Sequence, residues 1–169
     1  MIKTGLFILL LGAGISAWAE EKARYVEPAY QLPKVVYEFY LDDPAKMSSA
    51  LYWVRALINP LTEEPYNMTP DFMDIKLVIH GTEIVTLAKK NYSRYRDVVE
   101  RLRYYVALGV EVKVCRMAAE DFGYDLDDFY EFVELVPSAF TELVHWQQQG
   151  YALIRPQVFL RTRSIEEIR

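Results

Sequence analysis

Cysteine and histidine are scarce in this chain of 169 residues. Cys115 is the only cysteine, and His80 and His145 are the two histidines. These side chains do not have the spacing of a zinc site, and a lone cysteine has no disulfide partner within its own chain. The sequence therefore predicts neither a metal site nor a disulfide framework.

The motifs of common nucleotide and hydrolase sites are also missing. The sequence contains no Walker loop, no dinucleotide-binding glycine fingerprint and no Gly-x-Ser-x-Gly elbow. The turn after the first predicted strand, residues 41–44, has no glycine and carries two negative charges, which would repel a phosphate. This argues against flavin mononucleotide bound as in flavodoxins, and we expect no cofactor.

Positive charge is in deficit as well. The chain has 19 lysines and arginines against 24 acidic residues, for a formal net charge of −5. Nucleic-acid binding needs a basic face, so we expect no nucleic-acid partner. The 13 tyrosines are spread along the chain, which is typical of core and interface packing rather than of a base-stacking platform.

The N-terminus has the features of an export signal. Lys3 precedes an uncharged run from Gly5 to Ala19, and its last three residues have the small-x-small form of a signal-peptidase site. The run is short for a membrane-spanning helix, which needs about 20 apolar residues. We expect a signal peptide over residues 1–19, a periplasmic mature protein and no stable membrane insertion. The alternative is an uncleaved signal anchor.

The rest of the chain is predicted to be a single domain with two flanking segments. Residues 20–33 contain two prolines and no periodicity, residues 34–156 alternate strand and helix patterns, and residues 157–169 form a tail of ambiguous structure. The predicted strands are residues 35–41, 73–80, 110–115, 131–136 and 151–154. This alternation predicts an α/β fold with a mainly parallel sheet and helices on both faces.

Two helix predictions can be tested directly by the structure. The first helix is expected to end at Asn59-Pro60, because proline lacks the backbone N–H that a helix interior requires. The last helix, opened by Pro137-Ser138, is expected to turn Phe140, Leu143 and Val144 inward.

The carboxyl ends of the predicted strands carry most of the candidate site residues. Ligand sites of parallel α/β sheets lie outside this edge. Asp42 follows the first strand, His80 ends the second and Cys115 ends the third. Glu83 lies near the start of the segment after the second strand. We therefore expect these side chains to lie near one another.

Cys115 has two interpretations. It precedes a predicted helix whose N-terminus favours a thiolate, and Arg116 adds a neighbouring cation, so the sulfur can be a reactive thiol. Free cysteines are also among the most buried residues, so it can be a structural side chain. Exposure separates the two, and the strand-end position predicts an exposed sulfur.

The other candidates have structural alternatives too. His80 can orient or deprotonate a group beside the sulfur, or it can hydrogen-bond the neighbouring turn. Asp42 and Asp43 can form a carboxylate pair or a cation site, although helix capping already accounts for Asp43. Glu83 is a plausible site residue, but acids in a first helical turn are common because of the helix dipole alone.

Four segments, taken in order, resemble the DsrE/DsrF/TusD/YchN-like sulfur-relay family. They are residues 34–51, 77–84, 108–125 and 133–156. The most specific is the glycine–strand–cysteine–helix–glycine pattern from Gly109 to Gly123, followed by the valine-proline-serine block near the C-terminus. The resemblance implies a three-layer α/β/α fold with a five-stranded parallel sheet, and assembly into trimers or hexamers.

The resemblance also implies a chemistry. Cytoplasmic members of the family carry sulfur as a persulfide on a cysteine at the place of Cys115, received from a donor protein and passed to an acceptor by thiolate attack on sulfur. This chain departs from them in its export signal and in the Arg116-Met117 pair and the acids that follow the cysteine. The leading hypothesis is a periplasmic sulfur carrier or sulfurtransferase in which Cys115 bears the persulfide and His80 is a supporting site residue. The alternative is a non-catalytic oligomeric binding module that uses the strand-end pocket for a small ligand or a partner protein.

Overall fold

The structure is a computed structural model and describes residues 22–169. The cleavage site predicted after Ala19 lies outside the described residues. Residues 22–33 contain no helix or strand. Among the described residues, no helix is both long and apolar enough to cross a membrane.

Five parallel strands form one sheet. They are β1 (Lys34–Phe39), β2 (Asp74–Ile79), β3 (Glu111–Cys115), β4 (Val133–Val136) and β5 (Ala152–Ile154). Their order in the sheet is β4-β3-β2-β1-β5. Helices lie on both sides, so the predicted α/β class with a five-stranded parallel sheet is confirmed.

Helices and 3₁₀ turns connect the strands. The α-helices are α1 (Met47–Thr62), α2 (Tyr92–Ala107), α3 (Arg116–Asp121), α4 (Ala139–Gln148) and α5 (Ile165–Ile168). Short 3₁₀ turns span Pro44–Lys46, Pro70–Phe72, Thr82–Leu87, Lys89–Asn91 and Leu126–Asp128.

The predicted end of the first helix at Asn59-Pro60 is wrong, because α1 continues through Pro60 to Thr62. A proline near a helix end removes one backbone donor only, and the last turn is closed by a hydrogen bond from the Glu63 N–H to the Asn59 carbonyl. The turn is also held by Leu61, which is buried in the core. Packing therefore outweighs the local preference.

The sheet separates two apolar cores. The larger core lies between the sheet and α1 and α2, and includes Phe39, Leu51, Leu77 and Leu102. The smaller core is formed on the other face under α4. Its buried members are Val36, Val78, Cys115, Ala139, Leu143 and Tyr151.

The inward face of α4 differs from the prediction. Leu143 is buried as expected, but Phe140 and Val144 are exposed. The buried stripe runs instead from Ala139 to Leu143, four positions apart on one helix face. Phe140 is directed over the strand ends, where it contacts the ring of His80.

A ladder of alternating charges lies on the α4 face of β2, β3 and β4. Lys76 bonds Asp74 and Glu111, and Lys113 bonds Glu111 and Glu134. Both lysine side chains are largely buried, which is tolerable because each has two carboxylate partners. The ladder explains why valine and charged residues alternate along β3.

Candidate functional site

The strand order reverses next to β1. The chain steps from β1 through β2 and β3 to β4 in one direction, and β5 then lies on the other side of β1. Ligands of open α/β sheets bind at such reversals, outside the carboxyl ends of the strands. A cavity of about 530 Å³ opens there, lined by Glu38, Tyr40, His80, Phe140, Arg155, Pro156 and Gln157.

Glu38 contacts two of the other residues that line this cavity. Its Oε1 lies 3.1 Å from Nε2 of His80, and its Oε2 accepts a hydrogen bond from Nε of Arg155. The carboxylate is buried, and the guanidinium cation offsets the cost of burying its charge. Since the Arg155 side chain is 65% exposed, its remaining N–H groups can still reach a ligand.

Two aromatic rings hold His80 in place. Tyr40 stacks on the imidazole with ring centroids 4.8 Å apart, and Phe140 meets it edge-on at 5.6 Å. Nε2 of His80 is the ring nitrogen that faces Glu38, so this contact and the two rings together fix the orientation of the imidazole. Both aromatic rings are mostly exposed and form an apolar rim around a polar floor.

A second cavity shares Tyr40 and His80 with the first. It has a volume of about 370 Å³ and is lined by Tyr40, Leu41, Asp42, His80, Gly81, Thr82, Ala118, Asp121 and Phe122. Asp42 lies 2.7 Å from Nζ of Lys46, and the hydrogen bond from that ammonium lowers the pKa of the Asp42 carboxyl. Over residues 22–169, no cluster of histidine, cysteine and acidic side chains could hold a metal ion.

Glu83 stabilises the ends of β1 and β2 beside His80. Its side chain is completely buried, with Oε2 accepting from the Leu41 N–H and Oε1 from the Gly81 N–H, each at 2.9 Å. Burial raises the pKa of this carboxyl, while the backbone donors act in the opposite direction. The contacts tie the end of β1 to the end of β2, so Glu83 positions the site without facing either cavity.

Gly81 is required by this close approach. A Cβ atom at this position would lie 2.5 Å from both the Leu41 nitrogen and Oε2 of Glu83. The two strand ends therefore have no room for a side chain between them. Only glycine fits at position 81, because any side chain there would collide with the Leu41 backbone and the Glu83 carboxylate.

Cys115 is buried, so the prediction of an exposed sulfur is wrong. Only 5% of the residue is accessible, because Ala139 and Leu143 of α4 pack over the end of β3. Its Sγ makes no hydrogen bond to His80 or to any other group in the part of the chain that the structure describes. The thiol therefore lies behind α4, whereas His80 lines the open cavity.

Arg116 is paired with an acidic side chain of its own helix. Its guanidinium is exposed and lies 2.7 Å from Glu120, one helical turn further along α3. That ion pair offsets the cation next to the thiol. The candidate set is thus divided, with His80 and Asp42 on cavity walls, Glu83 beneath them, and Cys115 in the smaller core.

Sequence reasoning missed Glu38 and Arg155. Glu38 is the only charged residue between Val35 and Phe39 of β1, and a lone acid in a buried strand is an indication that could have been used. Arg155 follows β5 directly, but its pairing with Glu38 depends on the position of β5 beside β1. Strand order is not visible in the local sequence pattern.

Comparisons with known proteins agree with this architecture. A sequence model of the DsrE/DsrF-like family matches residues 39–156. The structure of a protein of unknown function from Methanobacterium thermoautotrophicum, MTH1491, is 23% identical with a TM-score of 0.55, covering 73% of this chain and 99% of that one. The structure of a conserved protein of unknown function from Bacteroides thetaiotaomicron, BT1422, is 12% identical with a TM-score of 0.49, covering 72% and 93%. No curated protein matches the chain.

Proposed function

The chain belongs to the DsrE/DsrF-like family, a sulfur-relay-type family, and on that premise we propose that it is a binding module whose strand-end cavity takes a small sulfur-bearing, anionic ligand. One contrast carries the proposal. The thiol of Cys115 is covered by α4, while Glu38, His80 and Arg155 line an open cavity at the reversal of strand order. A ligand must be able to reach its binding site from solvent, and the strand-end cavity is open to solvent whereas the thiol is covered.

The chemistry of the cavity supports this class of ligand. The exposed part of the Arg155 guanidinium offers N–H donors to a carboxylate or a sulfur oxyanion. Polarizable sulfur makes favourable contacts with ring edges, and the rings of Tyr40, His80 and Phe140 surround the cavity. Glu38 contacts both His80 and Arg155 and so fixes their positions in the cavity wall.

Glutathione trisulfide is a suitable probe, because it carries both carboxylates and a chain of sulfur atoms. We expect it to bind the native protein reversibly, and Arg155→Gln to weaken binding about tenfold, the effect of losing one strong charge-assisted contact. Isothermal titration calorimetry at fixed ionic strength measures both affinities, with the Cys115→Ser background used to exclude covalent exchange.

Arg116→Gln is the matched control, because it removes the same charge from an exposed arginine that lines neither cavity. Its affinity for the probe should remain within twofold of the unmodified protein. If the two substitutions weaken binding equally, or if no binding occurs, the strand-end cavity is not the site.

A persulfide carrier is the second candidate, favoured by family membership and by the position of Cys115 at the carboxyl end of β3. In this reaction the Cys115 thiolate attacks the terminal sulfur atom of a donor persulfide. A new S–S bond forms, the donor S–S bond breaks, and the donor thiolate leaves with the electron pair. The covering residues Ala139 and Leu143 must then move aside, whereas ligand binding in the cavity needs no such movement.

We also propose that the mature protein is a periplasmic homo-oligomer, a trimer or a hexamer. The support is the N-terminal export pattern, the family, and exposed aromatic side chains outside both cavities, such as Phe72, Tyr104 and Phe159, since aromatic residues are enriched at interfaces. Native mass spectrometry of protein from a periplasmic extract should give a subunit that begins at Glu20 and an assembly of several subunits. A monomer, or a subunit that retains Met1, would contradict the respective half of the proposal.

A further inference from the structure

A third cavity lies in the groove between α1 and α2, apart from the strand-end site. Its volume is about 460 Å³, and it is lined by Ser48, Ser49, Tyr52, Arg55, Arg101 and Tyr105. It therefore combines two guanidinium groups with two aliphatic hydroxyl groups and two phenol rings, and no carboxylate lines it. Such a wall is unusual in a chain whose net charge is −5.

Contacts with the protein already orient both arginines. The half-buried Arg101 donates from NH1 to the Ser48 carbonyl at 2.8 Å, and Arg55 lies over the Tyr52 ring with its guanidinium carbon 4.8 Å from the centroid. A guanidinium has five N–H donors, so each arginine keeps several that are unused by these contacts. Arg101 is anchored by its hydrogen bond, whereas Arg55 is exposed and rests on the Tyr52 ring, and both planar forks are suited to an oxyanion.

Neither arginine is neutralised locally. Within residues 22–169, no ion pair joins Arg55 or Arg101 to an acidic side chain. Asp97 is four positions before Arg101 on α2, the spacing of a helical ion pair, yet Arg101 bonds the Ser48 carbonyl instead. Both cations also influence Tyr105. Burial raises the pKa of its phenol, whereas Arg101 and Arg55 act to lower it.

Two serine side chains add neutral donors to this cavity. Ser48 and Ser49 lie in the first turn of the 16-residue helix α1, whose N-terminal end carries a partial positive charge. Hydroxyl groups at this end can donate to an anion together with the guanidinium groups. The two cations and the two hydroxyl groups thus line the same space.

We propose that the α1–α2 groove is a binding site for a tetrahedral oxyanion of sulfur or phosphorus. Arg55 and Arg101 supply the charge, and Ser48 and Ser49 supply neutral donors. The site does not depend on the strand-end cavity, because no residue lines both. It holds an anion by preformed contacts and involves no covalent step.

Titration calorimetry with sodium sulfate, sodium phosphate and sodium thiosulfate, each balanced with chloride to constant ionic strength, tests the proposal. At least one of the three should bind in a saturable manner, and the order of their affinities identifies the preferred oxyanion. Arg55→Gln should weaken that binding about tenfold. Arg55→Lys keeps the charge but loses the planar fork, so it should give an intermediate loss.

Arg96→Gln is the matched control, because Arg96 is an exposed arginine of α2 that does not line the cavity. Its affinity should equal that of the unmodified protein. Equal losses in Arg55→Gln and Arg96→Gln would show a general charge effect and overturn the site. The absence of saturable binding for all three anions, with circular dichroism showing folded protein, would overturn it as well.

Discussion

Native protein should react with iodoacetamide at Cys115 about a hundredfold more slowly than protein unfolded in guanidinium chloride. The thiol is 5% accessible, so reaction requires a local opening of α4, and an opening free energy of about 2.7 kcal/mol gives this factor. Intact mass spectrometry over a time course measures both rates. In the same experiment, inorganic polysulfide should add sulfur to the native chain about a hundredfold more slowly than to the unfolded chain.

Met117→Cys in a Cys115→Ser background is the matched control for this measurement. Met117 is exposed on α3, only two residues from the native cysteine, so its thiol should react at the rate of an unfolded chain. Rapid alkylation of native Cys115, together with a gain of one sulfur mass from polysulfide, would instead establish the persulfide carrier. The binding-module proposal would then fail as the primary function.

Glu83→Ala should lower the free energy of unfolding by about 3 kcal/mol, because two buried backbone N–H groups lose their acceptors and each unsatisfied group costs about 1–3 kcal/mol. For a domain of this size the melting temperature should fall by about 9 °C. The melting temperature of Glu83→Gln should lie between those of the unmodified protein and Glu83→Ala. The glutamine keeps one acceptor oxygen but turns an NH₂ group towards the other backbone N–H. Asp42→Ala, at an exposed carboxylate, should leave the melting temperature nearly unchanged.

The stability that Glu83 contributes should be larger at acidic pH than at alkaline pH. Burial raises the pKa of Glu83 above its ordinary value of 4.5, so the folded protein binds more protons here than the unfolded chain does. The stability that Glu83 contributes is complete below pH 4.5 and declines as the pH rises through the raised pKa. Urea unfolding at pH 4.5 and pH 8 should show the larger Glu83→Ala deficit at pH 4.5, and an equal deficit at both would contradict the shift.

The fold was predictable from the sequence because its causes are local. Apolar β-forming runs define the five strands, and the alternation with helices leaves few topologies for a parallel sheet. The errors arose where packing outweighs a local rule. Pro60 is held within α1 by the core contact of its neighbour Leu61, and Phe140 is turned outward because α4 packs through the Ala139–Leu143 stripe.

The site was predictable only in part. His80 and Asp42 follow from the rule that strand ends carry ligand sites, and both line cavities there. The burial of Cys115 depends on where α4 lies, and the Glu38–Arg155 pair depends on β5 joining the sheet beside β1. Both are long-range consequences of topology, which local patterns of charge and hydrophobicity do not contain.

The pairing of Glu38 with Arg155 has a consequence for the order of folding. These residues are 117 positions apart, and β5 is the last strand to be synthesised. Contacts over such separations form late, because a long loop must close first. A chain that ends before β5 holds the Glu38 carboxylate without its cation, and a buried charge without a partner is destabilising. The stability of the strand-end cavity therefore depends on the presence of β5 and Arg155, which supply the partner of Glu38.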